Sequence, residues 1–351
     1  MDITPYLEMM VRHQASDLFF TPGAPVKIKI DGLIRSIGET ALTPAVCREA
    51  VRSIMDEAQA HEFTEELEID FAIALAEKAR FRVNAFHQRG HPAMVLRYIR
   101  ANIPTARELD LPPILTQLVM HKRGIILMVG ATGSGKSTTL AAMIDHRNRS
   151  APGHIVTIED PIEFVHPHHQ CIVNQRELGP DTHSYARALK SVLREAPDVI
   201  LIGEIRTRET MEAAIELAGT GHLAISTLHA NNAYQAMERI INMFPQEMHK
   251  TLFTDLSSYL RAVISQRLVR TKKGSRCAAI EVLINTPHVA DLIRDGRIDE
   301  IVEAMQGRGE EGTTTFDDAL LALYRADTIT LEEALANADS APNLEARVHF
   351  G

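Results

Sequence analysis

The residues of this chain best suited to chemistry form the run Gly-Ala-Thr-Gly-Ser-Gly-Lys-Ser at 130–137, which matches G-x-x-x-x-G-K-[ST]. Glycines in such a run let backbone N–H groups turn toward phosphate oxygens, and a helix that begins there adds its positive end. Lys136 is expected to reach the β and γ phosphates, and the Ser137 hydroxyl to bind Mg²⁺. The run therefore predicts a site for ATP and Mg²⁺. The predicted nucleotide-binding residues are Gly130, Ala131, Thr132, Gly133, Ser134, Gly135, Lys136, Ser137 and Thr138.

Acidic residues that ATP hydrolysis requires follow two predicted strands. The apolar run 199–202 leads to Glu204, as in a Walker B strand, but Gly203 stands where an aspartate usually holds the metal. Three further acids end another strand: Glu159, Asp160 and Glu163. Acids after a strand also serve as helix caps or as solvated turns, so both interpretations stay open for Asp160.

Two histidines flank a third apolar strand at 223–228. His222 precedes the strand and His229 follows it. His229, Ser226 and Thr227 can face a nucleotide at the carboxyl edge of the sheet, where ligands bind in open α/β folds. The alternative is a histidine that only makes local hydrogen bonds.

The elements that must position these residues form two patterns. Up to about residue 100, a hairpin at 26–37 that turns at Asp31-Gly32, one helix at 44–63 and three strands predict a small α+β domain with an antiparallel sheet. Those three strands are expected at 71–75, 80–86 and 94–99. Pro104, Pro112 and Pro113 indicate a linker or hinge.

From residue 115, strands alternate with helices, which predicts a mainly parallel sheet covered on both faces. The strands are expected at 125–129, 155–158, 199–202 and 223–228, and the helices at 137–149, 183–195 and 208–218. This order of strand, loop, Lys-Ser and helix argues against a glycine-rich turn without a ligand. Beyond residue 285 the pattern is helical, with a loop expected at 307–315.

Composition favours a cytoplasmic enzyme. The 351 residues carry a net charge of -9 and no tryptophan, which disfavours a nucleic-acid partner. No stretch approaches the ~20 apolar residues of a membrane span. Three distant cysteines argue against a disulfide framework.

Four potential metal ligands lie within six residues: His166, His168, His169 and Cys171. Pro167 interrupts them, and only alternate residues of a strand share a face, so His169 and Cys171 could converge. A solvated turn is the favoured interpretation over a metal site.

Together these motifs resemble the secretion and pilus ATPases of the type II/IV secretion superfamily. The matching segments are the phosphate-binding run, Ile-Glu-Asp-Pro-Ile-Glu at 158–163, Ile-Gly-Glu at 202–204, Thr-Gly-His at 220–222 and Leu-His at 228–229. The resemblance implies a PAS-like N-terminal domain and a RecA-like P-loop ATPase domain. The implied boundaries are 1–100 for the PAS-like domain, 101–114 for the hinge, 115–285 for the ATPase domain and 286–351 for a helical C-terminal region.

Within that superfamily the chain looks like the pilus retraction class, the PilT/PilU family, because the four-cysteine zinc motif and longer N-terminal region of assembly members are absent. Five segments look like the PilU branch: 171–177, 228–232, 280–287, 290–293 and 338–340. The C-terminal signature of the PilT branch is altered here to His-Val-Ala-Asp-Leu-Ile-Arg-Asp at 288–295. Two departures lie near the site: Thr207 where aspartate is usual, and Gly219 where glutamate is usual.

The resemblance also implies catalytic roles. Glu204 would help Ser137 to hold Mg²⁺, Glu163 would position or deprotonate water, and His229 would sense the γ phosphate. Arg82 and Arg97 would reach the phosphates from the N-terminal domain on closure. The alternative is that both arginines are ordinary exposed strand residues.

By the same resemblance the chain would be a homo-hexamer that powers type IV pilus retraction and twitching motility, as an accessory to a PilT-type ATPase. It would work with an inner-membrane platform protein, associating with the membrane only peripherally. Two alternatives remain: an ATP-binding coupling or regulatory subunit with little hydrolysis of its own, and an assembly ATPase of a pilus or type II secretion system.

Overall fold

A computed structural model describes residues 1–30, 32–75, 79–99, 102–306 and 312–350. The chain forms two units, one of Met1–Asn102 with Glu163–Val165 and one of Ile103–Ile162 with His166–Gly351. No helix among these described residues is both long and apolar enough to span a membrane.

The N-terminal unit contains an antiparallel sheet of six strands in the order β3-β2-β1-β6-β5-β4. The strands are β1 (Asp17–Phe20), β2 (Val26–Ile30), β3 (Leu33–Ile37), β4 (Glu68–Leu75), β5 (Ala79–Gln88) and β6 (His91–Ile99). Alternation along β5 buries Phe81 and Val83 and leaves Arg80 and Arg82 on the other face. The predicted α+β unit with an antiparallel sheet is confirmed. Asp31 of the predicted turn lies outside the described residues.

The helices of this unit differ from the prediction. They are α1 (Thr4–Arg12), α2 (Pro44–Arg52) and α3 (Glu57–Glu66). The single helix predicted at 44–63 is wrong, because Asp56 starts a new helix: its side chain accepts from the Gln59 N–H, and the Gln59 side chain accepts from the Asp56 N–H. Helix α1 and strand β1 were not among the predicted elements.

The second unit contains a sheet of seven strands in the order β13-β12-β7-β11-β10-β8-β9. They are β7 (Gly124–Val129), β8 (Gly153–Glu159), β9 (Cys171–Glu177), β10 (Val199–Glu204), β11 (Leu223–Leu228), β12 (Leu260–Arg270) and β13 (Arg276–Ile284). Every neighbouring pair is parallel except β12 and β13. The predicted mainly parallel sheet is confirmed, whereas β9, β12 and β13 were not predicted.

Both faces of this sheet are buried. Along β7, Leu127 and Val129 join one apolar core, and Ile126 and Met128 join the other. The helices up to the end of the sheet are α4 (Pro113–Leu118), α5 (Lys136–Ser150), α6 (Tyr185–Val192), α7 (Arg208–Gly219), α8 (Ala233–Asn242) and α9 (His249–Tyr259). Because β7, β8, β10 and β11 run parallel, their carboxyl ends meet at one edge.

The C-terminal part is helical, as predicted. Its helices are α10 (Pro287–Arg294), α11 (Ile301–Gln306), α12 (Phe316–Arg325), α13 (Leu331–Asn337) and α14 (Ala341–Phe350). A separate core joins Val269 and Ala279 of the last two strands to Phe316 and Leu344. Of the loop predicted at 307–315, residues 307–311 lie outside the described residues, and Thr314 pairs with Val282.

Candidate functional site

The phosphate-binding run joins β7 to α5 as a tight loop. The Lys136 ammonium donates to the carbonyl oxygens of Gly130, at 2.7 Å, and Ala131, at 3.0 Å. A Cβ atom on Gly130 would lie 2.6 Å from the Gln266 carbonyl oxygen, and one on Gly135 would lie 2.8 Å from Gln266 Nε2. Both glycines also have positive φ, so the loop requires glycine at these positions.

Ser137 and Thr138 lie in the first turn of α5, half-buried, where the backbone N–H groups at the start of a helix attract anions. No group of three or more His, Cys, Asp and Glu side chains in the described ranges is arranged to hold a metal ion. Mg²⁺ needs fewer, because it usually binds one or two protein oxygens and completes its shell with phosphate and water. The Ser137 hydroxyl and the Glu204 carboxylate are oxygen ligands of the required kind.

Glu204 and His229 are in direct contact across two neighbouring strands. His229 Nε2 lies 2.9 Å from Glu204 Oε1, and Arg206 lies 2.6 Å from Oε2. Glu204 pairs with Thr227 beside a register shift in β10, and its carboxylate contacts His229 just past the end of β11. The Glu204 side chain is 15% exposed, and its carboxylate raises the pKa of Arg206. The edge thus carries an acid held by two basic groups.

The surroundings of Gly203 explain why this position before Glu204 is not an aspartate. A Cβ atom at this position would lie 2.7 Å from the Tyr185 hydroxyl and 3.1 Å from the Ile158 carbonyl oxygen. Tyr185 is half-buried. Its burial, and to a smaller extent the charge of Asp160, raise the pKa of its phenol. The space that an aspartate side chain would need at Gly203 is therefore filled by an aromatic residue of α6.

The polar residues in and beside β11 have different surroundings. The prediction that Ser226 faces the nucleotide is wrong, because its hydroxyl is buried and donates to the Ile202 carbonyl oxygen at 2.8 Å. Thr227 donates to the Gly203 carbonyl oxygen at 2.6 Å. His222 lies at the opposite end of the strand, where Nδ1 is 3.2 Å from the Leu217 carbonyl oxygen. For His222 the local hydrogen-bond alternative applies.

Acids after β8 have different surroundings. Glu159 accepts from Thr157 at 2.6 Å and from Gln175 at 3.1 Å. Asp160 follows it at the same edge of the sheet. Glu163 is exposed and belongs with the N-terminal unit, so its role with water stays a prediction.

Arg82 and Arg97 lie directly opposite each other on β5 and β6 of the N-terminal unit. Arg82 pairs with Asp70 at 3.2 Å, and Arg97 pairs at 3.0 Å with Asp17, whose side chain is 7% exposed. Both arginines are therefore strand residues with carboxylate partners. Their part in ATP turnover stays a prediction.

The cluster at 166–171 is only partly a solvated turn. His168 and His169 are exposed, whereas His166 and Cys171 are buried. Burial lowers the pKa of His166 to about 4, and the Cys171 thiol donates to the Ala151 carbonyl oxygen at 3.0 Å. His168 Nδ1 accepts from the Val173 N–H.

Two departures from the superfamily pattern have structural explanations. Thr207 caps α7, because its hydroxyl accepts from the Thr210 N–H. At Gly219 a Cβ atom would lie 3.3 Å from the Tyr259 hydroxyl, so the small residue accommodates that ring.

Two residues that contact the site were not among the predicted site residues. Arg206 is visible in the Gly-Glu-x-Arg pattern, although that pattern does not identify its partner. Gln266 lies on β12, which has no motif, and contacts the phosphate-binding run from the neighbouring strand. Only the pairing of β12 with β7 reveals it.

Comparison with known proteins identifies the class. The chain belongs to the type II/IV secretion system protein family, whose model matches residues 1–329.

Individual relatives show which members of the family the chain is similar to. The chain is 51% identical to the type IV pilus ATPase PilU of Pseudomonas aeruginosa, over all of this chain and 92% of that one. It is 41% identical to the type IV pilus retraction ATPase PilT of the same organism, over 98% of this chain and all of the relative. Its fold is similar to the crystal structure of the pilus retraction motor PilT with bound ADP, with a TM-score of 0.92 and 39% identity, over 98% and 99% of the two chains.

Proposed function

We propose that this chain is a Mg²⁺-dependent ATPase that powers type IV pilus retraction, as a PilU-type accessory to a PilT-type motor. The observation that carries the proposal is the 51% identity to PilU over the whole chain. A phosphate-binding loop at the sheet edge that also carries Glu204 and His229 supports ATP as the fuel.

In the proposed site, Ser137 and Glu204 would hold Mg²⁺, which when bound would neutralise negative charge on the phosphates. Lys136 exchanges its two carbonyl partners for phosphate oxygens. His229, 2.9 Å from Glu204 in this structure, would turn from that carboxylate toward the γ phosphate. Glu163 is proposed to orient the attacking water.

We propose further that the subunit works in a homo-hexamer and that domain closure brings Arg82 and Arg97 to the phosphates. The proposed domains are a PAS-like domain at 1–100, a hinge at 101–114, a RecA-like ATPase domain at 115–285 and a helical region at 286–351. Support comes from the antiparallel sheet of the first unit and the parallel sheet of the second. The proposed location is the cytoplasmic face of the inner membrane, beside the pilus platform protein.

One observation favours the alternative of a coupling subunit. The altered segment 288–295 forms α10, in which Val289, Leu292 and Ile293 are buried, whereas Asp291 and Arg294 are exposed. An exposed face with a changed sequence is a suitable contact surface for a partner. A coupling subunit that binds ATP but hydrolyses little would have this same surface.

ATPase assays of the purified chain test the proposal directly. Lys136→Ala and Glu204→Ala are each expected to abolish Mg²⁺-dependent hydrolysis, since each group would supply on the order of several kcal/mol of transition-state stabilisation. ATP binding is expected to survive Glu204→Ala better than Lys136→Ala. Lys122→Ala, at an exposed lysine before β7, is the control. An unchanged rate in either site variant would contradict the assignment, and binding without hydrolysis in the unaltered chain would favour the coupling alternative.

The accessory role needs a cellular test. Cells that carry only this ATPase are expected to retract pili weakly, and cells that also carry a PilT-type ATPase are expected to retract them fully. Full retraction force without the partner would refute the accessory role and leave the ATPase assignment standing.

A further inference from the structure

The Gln266 side chain connects the phosphate-binding run to helix α5. Its Nε2 donates to the Ser134 carbonyl oxygen at 2.8 Å, and its Oε1 accepts from the Thr139 hydroxyl at 2.7 Å. Gln266 is 2% exposed and Thr139 is 1% exposed. A buried carboxamide is thus held at one end by the loop and at the other end by the first turns of α5.

This contact controls the direction of a backbone donor. A trans peptide is planar, with its C=O and N–H groups pointing in opposite directions. Because Gln266 holds the Ser134 carbonyl on the β12 side, the N–H group of Gly135 points away from β12. A phosphate-binding loop needs its N–H groups turned toward the ligand. Gln266 therefore keeps this peptide from rotating.

Only a carboxamide satisfies both partners at once. The Thr139 hydroxyl donates to Oε1, which leaves Nε2 for the Ser134 carbonyl oxygen. A carboxylate at the same position would set one of its oxygens against that carbonyl oxygen, and an apolar side chain would leave the buried carbonyl without this donor.

We propose that Gln266 is a positioning residue of the nucleotide site, which orients the Ser134–Gly135 peptide for phosphate binding and is itself oriented by Thr139. The inference rests on the proposed function, since it assumes that the loop binds a nucleotide.

The test measures the affinity of the full chain for fluorescent ADP, together with its melting temperature without nucleotide. Gln266→Met, which has a similar volume, is expected to weaken ADP binding about tenfold, and Thr139→Val about threefold. The double variant is expected to stay near tenfold, because loss of the Thr139 hydroxyl has no further effect once the carboxamide that it orients is gone. Thr139→Ser keeps the hydroxyl and is expected to rescue the loss.

Gln266→Glu adds a readout that packing alone would not change. Its carboxyl can donate to the Ser134 carbonyl oxygen only when protonated, so its affinity relative to the unaltered chain is expected to recover as pH falls from 8 to 5. Variants that melt at lower temperature but bind ADP normally would show that Gln266 is only a packing residue and would overturn the inference. A loss of ADP affinity in the double variant equal to the product of the two single losses would overturn it as well. Failure of the unaltered chain to bind ADP would instead refute the proposed function.

Discussion

Gly203 offers the sharpest test of how the site is built, because one methyl group decides between two explanations of the missing aspartate. If the position is merely vacant, Gly203→Ala is harmless. In the structure, the added Cβ atom would lie 2.7 Å from the Tyr185 hydroxyl, 3.1 Å from the Ile158 carbonyl oxygen and 3.3 Å from the Glu159 Cα atom. Two of these three atoms are backbone and cannot rotate away.

The expected cost follows from that crowding. Overpacking a filled interior typically costs 1–3 kcal/mol, which lowers the melting temperature of a unit of this size by about 2–4 °C per kcal/mol. We therefore expect Gly203→Ala to melt several degrees below the unaltered chain, as measured by thermal and urea unfolding without nucleotide.

Removing the nearest obstacle supplies the matched control. In Gly203→Ala with Tyr185→Phe the 2.7 Å contact is gone, whereas the two backbone contacts remain, so we expect partial recovery relative to the sum of the single variants. Tyr185→Phe alone sets the baseline. Unchanged stability of Gly203→Ala would refute the crowding argument, and strictly additive effects would remove the tyrosine from it.

Three further perturbations test other contacts. Burial raises the pKa of Glu281 to about 7 from a value of 4.5, so the folded state holds the proton more tightly and stability falls as pH rises through this interval. Glu281→Gln is expected to weaken this pH dependence of the free energy of unfolding, measured with urea, by up to about 1.4 kcal/mol per pH unit. Arg267→Ala removes donors to the Asn337 carbonyl oxygen and Asp339, so hydrogen exchange is expected to rise in α12 and α13 but not in β7. Arg97→Ala is expected to lower stability more than Arg82→Ala in thermal melts, since Arg97 pairs with a buried carboxylate and Arg82 with an exposed one; equal losses would contradict this.

Much of the fold could be predicted because its signals are local. The strand before the phosphate-binding run is apolar at every position, as a strand buried on both faces must be, and Lys136 begins the helix that follows. Parallel pairing then brings Glu204 and His229 to one edge, although they lie 25 positions apart in the sequence. Periodicity and parallel topology were sufficient for that part of the site.

The remaining features depend on contacts between distant segments. Gln266 lies on a strand that no motif marks, and its partners Ser134 and Thr139 are more than 120 positions away. The role of Gly203 depends on Tyr185, which approaches from a different helix. The wrong prediction of one helix at 44–63 has another cause. The segments of α2 and α3 both favour helix, and the boundary between them is the Asp56 cap, which a search for apolar periodicity does not detect.

The charged groups of the candidate site already have protein partners, which changes how nucleotide binding must work. Lys136 donates to two loop carbonyl oxygens, and the Glu204 carboxylate lies between Arg206 and His229. In the proposed site a phosphate would supply an anion for the basic groups, and a metal ion held by Ser137 and Glu204 would supply a cation for the carboxylate, so binding would exchange these partners instead of adding to them. Because His229 and Arg206 share one carboxylate, a movement of that carboxylate would release both together. Arrival of the nucleotide at the loop after β7 would in this way be communicated to β10 and β11 through a single side chain.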